Sequence, residues 1–97
     1  MNMQAMMAQA RKLQKEIEKT SNEIDESIFK YENENILVEC MGNYKIKKVT
    51  IKNDDVLEDK ELLEDIILVA TNDVLDQILK MKNNKLGKYT NGLGGLF

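Results

Sequence analysis

Between Met3 and Ile24 the positions Met3, Met6, Ala10, Leu13, Ile17, Thr20 and Ile24 recur at alternating steps of three and four. On a helix that spacing draws one narrow stripe, a heptad seam. It leaves Arg11, Lys12, Lys15, Glu16, Glu18, Lys19 and Glu23 mostly off the stripe and in water. The pattern predicts a helix over residues 3–25. A helix this polar buries too little to hold itself, so the stripe needs a neighbour: another helix of the chain or a second copy.

The period changes around Asp25. Residues 27–31, Ser-Ile-Phe-Lys-Tyr, read as a short strand bearing aromatics, and Glu32-Asn33-Glu34 as a polar turn. Residues 35–41 set Ile36, Val38 and Cys40 against Leu37, Glu39 and Met41, the alternation of a strand with two different faces. Gly42-Asn43 then predicts a tight hairpin, because such turns need positive φ and these two residues accept it most readily. A third strand is expected over residues 44–52, in which Ile46 falls out of phase with Val49 and Ile51. One extra residue near Lys47-Lys48 restores the phase, so a β-bulge is expected there. An edge strand guarded by lysines is the competing reading.

After the acidic turn Asn53-Asp54-Asp55, a second helix is expected over residues 58–83, with Asp55 to Glu58 resembling a capping box and acidic residues crowding its positive end. Its main stripe is Leu63, Ile66, Ile67, Ala70, Val74, Ile78 and Met81, expected to cover the three-stranded sheet. Leu68, Leu75 and Leu79 point well away from that stripe. Two apolar faces on one helix imply two neighbours, the second being the first helix or another subunit. Residues 87–97 read as a flexible glycine-rich tail, whose Leu93, Leu96 and Phe97 are able to dock on the body. Its glycine spacing, following a helix, is not that of a nucleotide loop.

Composition narrows the class. Ninety-seven residues make one small domain, expected over residues 1–86, with a core of marginal size that association would help. Hydrophobic residues at 42% with 32% charged describe a soluble globular chain, and no apolar run is long enough to span a membrane. The N-terminus lacks the apolar centre and cleavage site of a signal peptide, and one cysteine cannot form an internal disulfide. A cytoplasmic location is therefore expected.

The net charge of −3 conceals an uneven distribution. Residues 1–19 carry four basic and two acidic side chains, 40–52 four basic and no acidic, and 77–97 four basic and no acidic, while 20–39 and 53–76 are acidic. Alternating blocks of this kind give either an electropositive surface on an acidic protein or ordinary solvated faces.

Catalysis finds little support. The chain has no histidine, the commonest general base and metal ligand. Cys40, in phase with Ile36 and Val38, reads as a core thiol without a nearby base. Asp54-Asp55, Glu58-Asp59 and Glu64-Asp65 fit capping and solvated charge at a helix start better than a cation site. Met3 and Met6 fit adaptable packing better than a soft-metal site. The expectation is no enzyme, no cofactor, no metal and no small-molecule substrate.

Three stretches together carry a family resemblance. They are Met6-Met7-Ala8-Gln9-Ala10-Arg11-Lys12-Leu13-Gln14; Val38-Glu39-Cys40-Met41-Gly42-Asn43 leading to Lys47-Lys48-Val49-Thr50-Ile51; and Leu63-Glu64-Asp65-Ile66 with Ala70-Thr71-Asn72-Asp73. In this order and spacing the chain resembles the YbaB/EbfC family of bacterial nucleoid-associated proteins over nearly its whole length. The resemblance implies an α+β fold: an α-β-β-β-α subunit with a three-stranded antiparallel sheet and long terminal helices, paired in a tweezer-like homodimer that binds duplex DNA. The chain departs from the family in having Asn53-Asp54-Asp55 where a proline often follows the third strand, and Asn33-Glu34-Asn35 where a glycine-rich link often precedes the second. Those loops lose any argument for rigidity.

On this resemblance the expected function is that of a nucleoid-associated homodimer holding DNA by its phosphates with low sequence specificity, since no recognition helix is evident. Arg11, Lys12, Lys15 and Lys19 lead the candidate contacts, followed by Lys80, Lys82, Lys85 and Lys88, with Lys45, Lys47 and Lys48 a third patch. Glu16, Glu18 and Glu23 repel DNA from part of the first helix. Leu13, Ile17, Ile24, Leu68, Leu75 and Leu79 are the expected dimer interface. The rival reading is a dimeric adaptor or chaperone-like protein that does not bind nucleic acid.

Overall fold

The computed structural model describes residues 2–92 and bears out the expected α-β-β-β-α order. Helix α1 (Met3–Glu26) is followed by β1 (Ile28–Glu32), β2 (Ile36–Met41), β3 (Ile46–Ile51), one 3-10 turn (Asp54–Glu58) and helix α2 (Lys60–Gly92). The strands form one antiparallel sheet in the order β1-β2-β3. Among the described residues no helix is long and apolar enough to cross a membrane.

Local chemistry sets the element ends. The Asn2 side chain accepts the Ala5 N–H at 2.7 Å and so caps α1. At its other end the Ser27 N–H donates to the Ile24 carbonyl at 3.0 Å, and Ser27 turns extended to enter β1. The cap of α2 is Asp59, which accepts the Leu62 N–H at 3.1 Å. Residues 54–58, where the sequence suggested a capping box, instead close a tight 3-10 turn held by the Asn53 side chain on the Asp55 N–H at 3.0 Å.

The core lies between α2 and one face of β1 and β2. Ile36, Val38 and Cys40 alternate inward from the central strand and meet Phe29 of β1, Ala70, Val74 and Ile78 of α2, and Ile24 of α1. Ile66, Met81 and Leu86 pack around them. The expected stripe thus holds from Ile66 through Met81 except at Ile67, which is largely exposed, while Leu63 is half-buried outside this cluster. The cause is the placement of α2, which lies over β1 and β2 and leaves β3 uncovered on the same side of the sheet except at Ile51, which packs against the core. Val49 pairs with buried Val38 yet is 54% exposed.

The bulge expected in the third strand is present. Glu39 pairs with Lys48 and Cys40 with Ile46, so Lys47 is the extra residue. The hairpin before it differs from expectation. Positive φ falls on Tyr44 (φ 69°) and not on Gly42 or Asn43, because the Met41 N–H donates to the Lys45 carbonyl at 2.8 Å and closes a loop over 42–44 whose last residue takes the left-handed conformation. The Asn43 side chain supports this loop by accepting the Lys45 N–H at 3.1 Å. Gly42 is needed for another reason: a Cβ there would overlap the carbonyl of Ile24 at the end of α1.

Helix α2 runs past its expected end at residue 83 to Gly92. Gly87 costs a helix roughly 1 kcal/mol, but no proline interrupts the segment, and packing of Met81 and Leu86 on the core offsets the loss. Residues 87–92, read from sequence as the start of the tail, are therefore helical, and 93–97 lie outside the described residues. Both long helices leave the body at the same end, giving extents of 69 × 22 × 15 Å and a radius of gyration of 19.4 Å. A compact chain of this length has about 12–13 Å.

Candidate nucleic-acid interface

Only the last turns of α1 are anchored. Ile24 sits in the core, Ile17 and Leu13 are half-buried, and from Asn2 through Lys12 the helix is exposed. The first part of α1 therefore projects as an arm, held by its own backbone hydrogen bonds and the Asn2 cap.

Steps of one, three and four place Arg11, Lys12, Lys15 and Lys19 on one side of that arm, where with Ala8 and Glu16 they line a shallow groove. All four are exposed, and among the described residues none forms an ion pair. At 100° per residue this side lies opposite the Met3-Met6-Ala10-Leu13-Ile17 seam, so charge and apolar surface are separated around one helix. Arg11 to Lys19 covers about 12 Å of axis, roughly one cation per 4 Å, comparable with one phosphate per ~3.4 Å along each strand of duplex DNA.

The second candidate set comes together only in part. Lys82 reaches back to the hairpin and places its Nζ 4.2 Å from the Tyr44 ring centroid, a contact worth about 0.5–1 kcal/mol at an exposed site. Lys88 lies 5.0 Å from the ring of Tyr89. Lys85 and Lys88 also line a cleft of about 350 Å³ between the helices with Thr20, Glu23, Ile24, Ser27 and Met81. Lys80 is on another side of α2, since two residues of helix separate it from Lys82 by about 200°. On β3, Lys45, Lys47 and Lys48 are exposed, but Lys48 stands opposite Glu39.

The expected interface residues also divide. Ile24 is 5% exposed and packs inside its own subunit. Leu68 and Leu79 are largely exposed and Leu75 is half-buried, on the flank of α2 that faces the β3 side of the sheet. With Ile46 and Val49 they leave an apolar surface open on that side.

Gly42 and Tyr44 are the structural determinants that sequence reasoning missed. The signal for Gly42 was a glycine at the end of a strand, assigned to the turn when its role is close approach. Elsewhere two titrations are displaced. A hydrogen bond and charge from Lys52, 2.9 Å away, hold Glu32 below the usual carboxylate value, and burial pushes the Cys40 thiol up. Cys40 is a buried free thiol of the core, and among the described residues no His, Cys, Asp or Glu cluster suits a metal ion.

A family model describing the YbaB/EbfC DNA-binding family matches residues 1–93. The chain belongs to that family. Among its relatives is the nucleoid-associated protein LL0120 of Lactococcus lactis subsp. lactis (strain IL1403), 44% identical over 96 residues, covering 96% of this chain and 97% of the relative. A nucleoid-associated protein of Enterococcus faecalis (strain ATCC 700802 / V583) is 41% identical over 97 residues, covering 97% of this chain and 93% of its own length. Another from Ligilactobacillus salivarius (strain UCC118) is 33% identical over 99 residues, with 99% and 95% covered. This YbaB/EbfC chain thus spans nearly the full length of each.

Proposed function

We propose that this YbaB/EbfC chain is a non-enzymatic nucleoid protein that grips duplex DNA as a homodimer, through the basic sides of its α1 arms, with little sequence preference. The observation that carries the reading is the grouping of Arg11, Lys12, Lys15 and Lys19 on one exposed side without carboxylate partners among the described residues. A smooth helix side bearing lysines suits phosphates, which fix position without reading sequence. The open surface of Leu68, Leu79, Ile46 and Val49 supports pairing of two copies, since apolar area of this kind on a small domain is normally covered. Pairing doubles the number of arms, and two arms on one duplex bind more tightly than either alone.

The test is a binding curve against salt on two duplexes of unrelated sequence, with the mass of the protein measured under the same conditions. The expected outcome is a dimer whose affinity falls about 0.9 log unit per log unit of salt for each phosphate contact, to similar extents on both duplexes. Replacing Arg11, Lys12 and Lys15 together by alanine should flatten that slope by up to about three contacts per arm while the mass stays the same. Salt-insensitive binding, or no binding at low salt alongside a stoichiometric protein partner, would favour the adaptor reading instead.

A further inference from the structure

Around α2 the apolar residues form two stripes. Ala70, Val74 and Ile78 face the sheet and are fully buried. About 120° further round the helix, Leu68, Leu75, Leu79 and Leu86 form another, with Asn72 and Lys82 between them. These six positions follow one another at steps of four, three, four, three and four, the spacing of a heptad seam. Leu68 is 59% exposed and Leu79 52%, while Leu75 and Leu86 are half-buried.

The seam reads alike from either end. Reversed about Gln77, Leu68 exchanges with Leu86, Asn72 with Lys82 and Leu75 with Leu79, so leucine falls on leucine and polar on polar. A helix with that property matches a second copy of itself laid antiparallel, which is the relation a two-fold axis across the helices generates. Charge selects the same direction. From Glu61 to Asp76 α2 carries five carboxylates and no cation, and from Gln77 to Gly92 four lysines and no carboxylate. Among the described residues none of these groups forms an ion pair within the subunit. Parallel pairing sets acid against acid, whereas antiparallel pairing sets each acidic half against a basic one and opposes the two helix dipoles.

We infer that two copies of this chain pair through antiparallel α2 helices, with Leu75 of one against Leu79 of the other and Leu68 against Leu86. The inference rests on the homodimer reading above and gives that dimer its contact helix, direction and register. The seam runs about 27 Å from Leu68 to Leu86. Asn72 meets Lys82 of the other copy, and a slip of one heptad sets one of them against a leucine, so the polar pair fixes the register. Near the axis Lys80 of each copy stands beside Asp76 of the other, about 3 Å apart along the helices, which offsets the approach of the two Asp76 carboxylates.

The test is engineered disulfide formation in the full-length protein under mild oxidation, with the mass of each variant measured first and Cys40 fully buried and not competing. Leu75→Cys and Leu79→Cys copies, co-expressed with one of them tagged, should link to each other at least about tenfold faster than either links to itself. Two copies of residue 75 stand about 6 Å out of step along the axis, which puts them beyond disulfide reach. Faster self-linking would mean parallel helices and overturn the proposal. A dimer that links slowly in every combination would overturn it too while leaving the homodimer reading intact, and a monomeric mass would end both. Charge reversal leaves the leucines in place and gives an independent measurement. Asp76→Lys and Lys80→Glu should each raise the dimer dissociation constant by roughly three- to tenfold, and an equal mixture of the two should pair as tightly as the unaltered protein. A loss that the mixture does not restore would count against α2 as the contact.

Discussion

The two ends of α1 belong to different regimes. Around Ile24 the helix is part of a core in which Ile36, Val38, Cys40, Ala70, Val74 and Ile78 are almost completely removed from water. Around Met3 it is a single exposed helix. Burial stabilises the first region, at about 25 cal/mol per Å² of apolar surface, and local hydrogen bonds and the Asn2 cap hold the second. The difference teaches where substitutions act: in the body they change stability, and on the arm they change what the surface can bind.

The largest break in that comparison should come from Ile78→Ala. This side chain is fully buried between α2 and the sheet, so the cavity and lost transfer energy should lower unfolding free energy by about 2–5 kcal/mol in a urea titration. A cost like that of a surface residue would mean the body is not the stable region. Gly42→Ala should follow, at about 1–3 kcal/mol or more, because the added methyl collides with the Ile24 backbone and the arm's root must shift. Its effect should also reach the arm, seen as NMR shift changes at residues 20–27.

Replacing Arg11, Lys12 and Lys15 by alanine should leave the same urea midpoint within about 0.5 kcal/mol while flattening the salt dependence of DNA binding. A stability loss comparable with that of Ile78→Ala would erase the distinction between arm and body. The smallest effect belongs to Lys52→Ala. Glu32 titrates below its ordinary value near 4.5 because of Lys52, so its contribution is present above the unfolded-state pKa and lost as pH falls through the lower folded-state value. Without Lys52, its carboxylate NMR titration should move up toward the ordinary value. Both groups lie in water, so little change in stability should accompany the move.

Much of this was legible from residue spacing. The three-four steps of α1 located both its seam and the cations opposite, since a helix converts sequence distance into angle with little help from the rest of the chain. Alternation in β2 and the phase slip at Lys47 were equally local, because strand period is two and one extra residue has only one place to go. Misreadings arose where a neighbour decided. Ile67 is in phase with the buried stripe but is left largely exposed because α2 covers β1 and β2 rather than the whole sheet, and Gly42 is small for the sake of Ile24, eighteen residues earlier in the chain. The helical run through Gly87 is another such case, since local propensity argues for a stop and packing of Leu86 overrides it.

The sequence by itself determined the order of elements, the inward side of β2, the segregation of charge from apolar surface on α1, and the family. These follow from periodicities and side-chain chemistry that hold for any chain. The tertiary structure alone decided which strands α2 covers, that Ile24 belongs to the subunit's own core, and that Lys85 and Lys88 line the cleft between the helices while Lys82 turns to Tyr44. Those outcomes depend on how elements far apart in sequence are set against one another, and burial is a property of that arrangement.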